Sequence, residues 1–345
     1  MPVSLPALMP VSLPALTRRR LLGLGAGAGA AALLAACGDG GAAPSAAGSG
    51  AATGEPVTIK TCVYAKNHAS SALYWQQFAP KNWTIQVMPV TGSAQIQDAL
   101  ESGQLDFGLL GAYTTVIAAS EGKLTSKIVG MIARQGIGLI GRSGKVASVP
   151  DLKGKKVAVP PPGAQVLILT ELLRNAGLVL GTDVTAVPLG YADHPAALAR
   201  GDVDAYIGTE PLCTQSVVTG VGVRLSEVAN TPIGDFNTAN WASGKILRER
   251  PDVVKQVVQL QKQAAEFLTP GGTNDKARWK DLLVNQFGFT QQVYEAVLVD
   301  VGAVWKFDKT REAQVTGAGR LLKAAGVIKT EPDYEGLYAR DFWNT

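Results

Sequence analysis

Apolar and polar positions alternate through Val57-Thr58-Ile59-Lys60-Thr61-Cys62-Val63-Tyr64. The run is rich in β-branched residues and predicts a strand. A helix is expected near 72–78 and a second strand over 84–90. A phrase then occurs twice. Ala99-Leu100-Glu101-Ser102-Gly103-Gln104-Leu105-Asp106-Phe107 and Ala197-Leu198-Ala199-Arg200-Gly201-Asp202-Val203-Asp204-Ala205 each read as a helix end, a Gly stop and an apolar strand entered through Asp. Gly suits the left-handed residue that ends many helices, because it has no Cβ to clash. The strands that follow, 107–111 and 205–208, are short apolar runs suited to a covered parallel sheet. Two such units, 98 residues apart from Gly103 to Gly201, predict two α/β lobes built alike. A ligand would sit between them, outside the strand C-termini. Farther on, 253–268 has helical apolar spacing and follows Pro251-Asp252, a good helix start. Helices near 276–287, 291–300 and 310–325 are expected to pad the first lobe without chemistry.

The N-terminus follows a different pattern. Residues 1–8 repeat as 9–16, so Met9 competes with Met1 as the start. Arg18-Arg19-Arg20 precedes an apolar stretch over 21–36, too short and too weakly apolar to span a bilayer comfortably. The stretch ends in Leu34-Ala35-Ala36-Cys37, which resembles the lipobox of bacterial lipoproteins. That resemblance implies a signal peptide over 1–36, cut before a lipidated Cys37. The arginines also resemble a twin-arginine export signal. Residues 37–55 are mostly Gly, Ala and Ser, and read as a flexible, lipid-anchored linker.

The 345 residues suffice for two domains, and 46% hydrophobic against 17% charged content suits a packed body. Net charge is +4; setting aside Arg18, Arg19 and Arg20 leaves +1, with no basic stripe for nucleic acid. Cys37, Cys62 and Cys213 make neither a disulfide framework nor a CxxC site. His68 and His194, the only histidines, exclude a multi-histidine metal site, and no cofactor is called for. GxSxG, P-loop and HExxH motifs are absent, as a chain that needs no catalysis would show.

The stretch Val146-Ala147-Ser148-Val149-Pro150-Asp151-Leu152-Lys153-Gly154-Lys155-Lys156-Val157-Ala158-Val159 resembles a signature of solute-binding proteins of the aliphatic-sulfonate, taurine and nitrate ABC importers. The resemblance continues through Gly201-Asp202-Val203-Asp204-Ala205 and Glu210-Pro211, and covers roughly 57–270. It implies an α/β, two-lobed, type II periplasmic-binding-protein-like fold with two crossover segments and a cleft between the lobes. Lobe 1 would comprise 56–137 and 238–345, and lobe 2 would comprise 138–237. The outward crossing is expected near 132–142 and the return near 234–241.

Candidate ligand contacts follow from the loops at the strand ends. In the first lobe they are Lys66, His68, Ser70, Gly92, Ser93, Tyr113 and Thr114; in the second, Gly163, Ala164, Gln165, Tyr191 and Glu210; on the return, Trp241. Ser93 could cap its helix instead, and Asp193 could cap the helix ending at Arg200. Tyr113 could be a core aromatic, and His68 an anion donor or a surface residue without a role. Members of that family usually carry a Gly-Ser or Gly-Thr pair where this chain reads Pro161-Pro162-Gly163-Ala164. Proline supplies no N–H, which opens a second reading: a flat or partly apolar ligand held by Tyr64, Tyr113, Tyr191, Tyr206 or Trp241.

The function implied is a lipid-anchored solute receptor on the outer face of the bacterial cytoplasmic membrane. It would be monomeric and would hand a small solute to a permease and its ATPase. A thiamine-precursor-synthase-like enzyme is the alternative, suggested by Cys62, Lys66 and His68 in one segment. Cys62 and Cys213 fall in different lobes and are expected as free buried thiols.

Overall fold

The computed structural model describes residues 54–90, 92–160, 163–226 and 231–343. The expected signal peptide, Cys37, nearly all of the linker, and Pro161-Pro162 lie outside the described residues.

The chain starts with β1 (Val57–Tyr64), α1 (Trp75–Phe78), β2 (Trp83–Val90), α2 (Ser93–Glu101), β3 (Phe107–Leu110), α3 (Ala112–Ser120) and β4 (Lys127–Gln135). It then crosses at Gly136 into β5 (Ile137–Arg142), β6 (Lys156–Val159), α4 (Ala164–Asn175), β7 (Thr185–Pro188), α5 (His194–Arg200), β8 (Ala205–Thr209), α6 (Leu212–Val218) and β9 (Gly222–Ser226). It returns through β10 (Phe236–Ala242), α7 (Gly244–Glu249), α8 (Pro251–Leu268), α9 (Lys276–Lys280), α10 (Gln291–Val297), β11 (Val301–Ala303) and α11 (Lys309–Ala324). One sheet has the order β11-β4-β10-β3, flanked by the parallel pair β1-β2; the other has the order β7-β6-β8-β5-β9. The outward crossing is therefore the β4–β5 junction, and the return enters the first sheet as β10, antiparallel to both β3 and β4.

The repeated phrase does the same job in both halves. Gly103 and Gly201 have φ of 71° and 81°, the left-handed stop. The Asp three residues later clips its new strand to an earlier one. The Lys60 N–H donates to Asp106 Oδ2 at 2.9 Å, and the Lys156 N–H donates to Asp204 Oδ2 at 3.0 Å. The return bonds match too: Asp106 N–H to the Lys60 carbonyl at 2.9 Å, and Asp204 N–H to the Lys156 carbonyl at 2.8 Å. In the 150s segment, Asp151 Oδ2 gathers the N–H groups of Ala147 and Ser148 in a turn, and Gly154 reverses the chain at φ 74° before β6.

The C-terminal helices depart from expectation. They do not only pad the first sheet: Phe289 and Val293, at α10, pack on Leu212 of α6, which belongs to the second half. An apolar helix face goes wherever matching apolar area lies, and sequence spacing does not say which half supplies it.

Cys62 and Cys213 are free and buried. Burial pushes the Cys62 thiol up to about 11, against a weaker opposing bond to the backbone at Leu109, and also raises Cys213. Because the thiolate is the reactive form, Ellman's reagent at pH 8 is expected to find neither thiol in the native Cys37→Ser chain. It should find both after unfolding in urea without reductant. A native count of one or more, or none on unfolding, contradicts this.

Candidate functional site

The loops at the strand ends of the two sheets meet along a seam. From the first half, Tyr64 ends β1 and its hydroxyl lies 2.8 Å from Ser93 Oγ. From the second half, the Tyr191 ring meets Tyr64 edge-on, with centroids 6.2 Å apart. Burial raises both phenols, so both are neutral and act only as neutral hydrogen-bonding groups near neutral pH. Ser93 does not cap α2: Gly92 is the cap residue and carries no side chain to do so. Asp193 likewise makes no side-chain cap bond to α5.

Three helices begin at this seam in the same way. Gly92, Gly111 and Gly163 are the cap residues of α2, α3 and α4, all in extended backbone, and none of these helices has a side-chain cap. The first-turn N–H groups are thus left without the usual Ser, Thr or Asp partner. A Cβ on Gly111 would come within 3.7 Å of Ala164 Cβ, so the starts of α3 and α4 face each other closely. At Gly92 a Cβ would meet nothing within 4 Å.

Beside the crossing, the segment after β1 locks onto the end of β8. Asn67 Nδ2 donates to Thr209 Oγ1 at 2.9 Å, and Thr209 Oγ1 donates to the Gly136 carbonyl at 3.1 Å. His68 Nδ1 is 3.3 Å from the Glu210 carbonyl oxygen. The ring is 1% exposed, and burial lowers its pKa to about 4, opposed by the carbonyls of Glu210 and Arg134. His68 is therefore neither a surface residue nor a protonated anion donor near neutral pH. Its ring occupies the space that a side chain on Gly136 would need, and Gly136 has φ 78°. Gly136→Ala is expected to destabilise the fold by about 2–3 kcal/mol, through left-handed strain plus overlap with the ring. A urea titration of the variant checks this, and adding His68→Ala should recover part of the loss.

The other expected contacts divide. Tyr113 is half-buried against the first core, and Thr114 and Gln165 are half-exposed near the starts of α3 and α4. Lys66 is exposed, with φ 54°. Ser70 is fully buried, its hydroxyl donating to the Asn67 carbonyl at 2.6 Å. Glu210 is fully buried, its carboxylate paired with Arg224 at 2.5 Å and accepting the Thr214 N–H at 2.9 Å. Trp241 is 1% exposed, and its indole N–H bonds the Leu110 carbonyl at 3.3 Å. Tyr206 is also core, donating to the Leu212 carbonyl. These four side chains are committed to packing and internal bonds. Nor do Cys62, Lys66 and His68 form a catalytic cluster: one faces the backbone of β3, one faces solvent and one sits under Gly136. Among the described residues, no three His, Cys, Asp or Glu side chains gather as a metal site. Nor is any described helix long and apolar enough to cross a membrane.

The family described as NMT1/THI5 like matches residues 78–270. A protein of Brucella abortus (strain 2308) named as a binding protein is 32% identical over 187 residues, 52% of this chain and 55% of its own. The chain thus spans about half the length of that curated relative. A 4-amino-5-hydroxymethyl-2-methylpyrimidine phosphate synthase of Saccharomyces cerevisiae is 22% identical over 292 residues, 77% of this chain and 80% of its own. Among solved structures, the alkanesulfonate-binding protein SsuA of Xanthomonas axonopodis pv. citri, bound to MOPS, superposes with a TM-score of 0.70. It is 22% identical, and the match covers 83% of this chain and 99% of that one. The likeness establishes a fold of the periplasmic-binding-protein kind.

Proposed function

The chain belongs to the NMT1/THI5-like family, and from that premise we propose that it is the substrate-binding lipoprotein of an ABC importer. It captures a small anion of the sulfonate, taurine or nitrate kind and delivers it unchanged to a membrane permease and its ATPase. The observation that carries this reading is the set of three glycine-started helix ends without side-chain caps, two of them facing each other across the seam. Such ends offer free N–H donors and the positive pole of the helix, which suit an oxyanion. Ser93, Tyr64 and Tyr191 border them. In this reading 56–137 with 238–345 forms one lobe and 138–237 the other. Lys66, Gly92, Ser93, Tyr113, Thr114, Gly163, Ala164, Gln165 and Tyr191 line the cleft, while His68, Ser70, Glu210 and Trp241 support it from behind. A lipid on Cys37 holds the monomer at the outer face of the cytoplasmic membrane.

The Tyr64–Tyr191 contact favours a second reading, the same role with a planar aromatic ligand. Thermal denaturation of the purified chain separates the two. A true ligand at 100 times its Kd adds about 2.7 kcal/mol. Stabilisation by ethanesulfonate, taurine or nitrate supports the anion. Stabilisation only by uncharged aromatics supports the second reading, and no stabilisation by either set removes the receptor assignment. Incorporation of radiolabelled palmitate, lost in Cys37→Ser, tests the anchor.

A further inference from the structure

β10 is apolar at Phe236, Ala239, Trp241 and Ala242, yet carries Thr238 and Asn240 between them. Both are buried, at 6% and 1% exposure. Thr238 Oγ1, Asn240 Nδ2 and Asn240 Oδ1 have no hydrogen-bond partner. A buried amide with neither its donor nor its acceptor paired is rare and costly, and calls for a partner.

The register places the two residues. Ala239 pairs with Leu110 and Asn240 with Leu109, so Thr238 lies level with Gly111, the cap of α3, and Asn240 lies one pleat deeper. Residues two apart on a regular strand share a face. The β10–β4 pairing is irregular at three places, between 236 and 238, between 238 and 239 and between 240 and 241. At the first the skipped residue is Asn237 of β10; at the other two it belongs to β4, so β10 itself runs on regularly from 238 to 240. Opposite Asn240 on β4 stands Gly130, which brings no side chain to pair with the amide; the Trp305 carbonyl oxygen lies 2.9 Å from where its Cβ would be. The three unpartnered atoms therefore run inward from the place where the starts of α3 and α4 meet.

We propose that Thr238 and Asn240 are specificity-determining residues at the floor of the ligand site. They read a neutral group with a hydrogen-bond donor beside an acceptor, of the carboxamide type, at the end of the solute remote from its anionic head. This rests on the receptor reading above. An amide side chain matches such an edge with two parallel bonds, as Asn does with a base edge carrying a donor and an acceptor. A plain alkyl end would leave all three atoms unpaired, and sites built to hydrogen-bond reject analogues that lack the group.

The test pairs alkanesulfonates of two to five carbons with ω-carbamoyl twins of equal length, titrated calorimetrically into the purified chain and its Asn240→Leu and Thr238→Val variants. At one chain length the carbamoyl compound is expected to bind at least tenfold tighter than its twin. Asn240→Leu should reverse that preference, and Thr238→Val should reduce it. The unliganded variants should melt no lower than the parent, because each removes unpaired polar atoms. The inference fails, with the receptor reading intact, if sulfonates bind but no carbamoyl compound gains. It also fails if Asn240→Leu lowers the unliganded melting point and leaves the preference unchanged, as a structural water on the amide would predict. If no sulfonate of either kind binds, the anion-receptor reading itself fails, and this inference with it.

Discussion

Between pH 7 and pH 4 the fold is expected to lose roughly 3 kcal/mol for each of its two histidines. His68 and His194 are each 1% exposed, and burial lowers both to about 4. In the unfolded chain each titrates near 6.5. From pH 6.5 down to 4 the unfolded chain therefore binds two protons that the folded chain refuses, so stability falls as pH falls. Above 6.5 both states are neutral and the effect vanishes. Below 4 the folded rings protonate as well and the loss levels off. The physical settings differ. His68 is wedged under Gly136 against the Glu210 carbonyl. His194 Nε2 lies 3.0 Å from the Leu189 carbonyl, with the Tyr191 and Tyr206 rings beside it. Urea midpoints from pH 7.5 to 4.5 measure the slope. His68→Asn, which keeps a short polar group beside that carbonyl, should roughly halve it. A flat profile across this interval would show that the rings are not held neutral.

Arg224→Met is expected to destabilise the protein by about 3–5 kcal/mol. Arg224 Nη2 bonds Glu210 Oε1 at 2.5 Å and Asp300 Oδ2 at 3.2 Å. Glu210 has no solvent exposure at all. Taking away the guanidinium leaves a buried carboxylate facing only the Thr214 N–H, and that isolated charge accounts for most of the loss. Asp300, by contrast, is partly exposed, and its share is small. Chemical denaturation of Arg224→Met, and of Arg224→Met with Glu210→Gln, separates these contributions. The second change should restore most of the stability, since no net charge then remains buried. A single-variant loss below about 1 kcal/mol would contradict the assignment. The pair also bears on the seam. Glu210 and Arg224 come from the second half and Asp300 from the segment after α10, so the same cation ties both halves together.

How much of this was legible in the chain depends on how local the signal was. β1 runs from Val57 to Tyr64 as the alternation predicts, and α8 starts at Pro251. Gly103 and Gly201 take the left-handed φ that their position demands, and the twin Asp clips give the repeated phrase its physical meaning. The crossing near 132–142 lies at Gly136, between two apolar strands. Long-range partners were not legible. Nothing near His68 shows that Gly136, far along the chain, supplies the room for its ring. Ser93 looked like a cap because a hydroxyl before a helix usually is one, but one residue of offset gives that position to Gly92 and turns the hydroxyl to Tyr64. The glutamate and tryptophan expected at the ligand are consumed by Arg224 and the Leu110 carbonyl, pairings that only the folded chain reveals. One signal was available and missed: three polar residues, Asn237, Thr238 and Asn240, inside the otherwise apolar strand of the return crossing.

The two described cysteines sit reduced in separate halves, one on strand β1 and one on helix α6, and no disulfide joins them. A body that reaches its native packing without oxidative chemistry asks nothing of the redox poise around it. In the exported role proposed above, it could be completed before translocation as readily as after it, so a pathway that moves finished proteins and one that threads loose chains would deliver the same molecule.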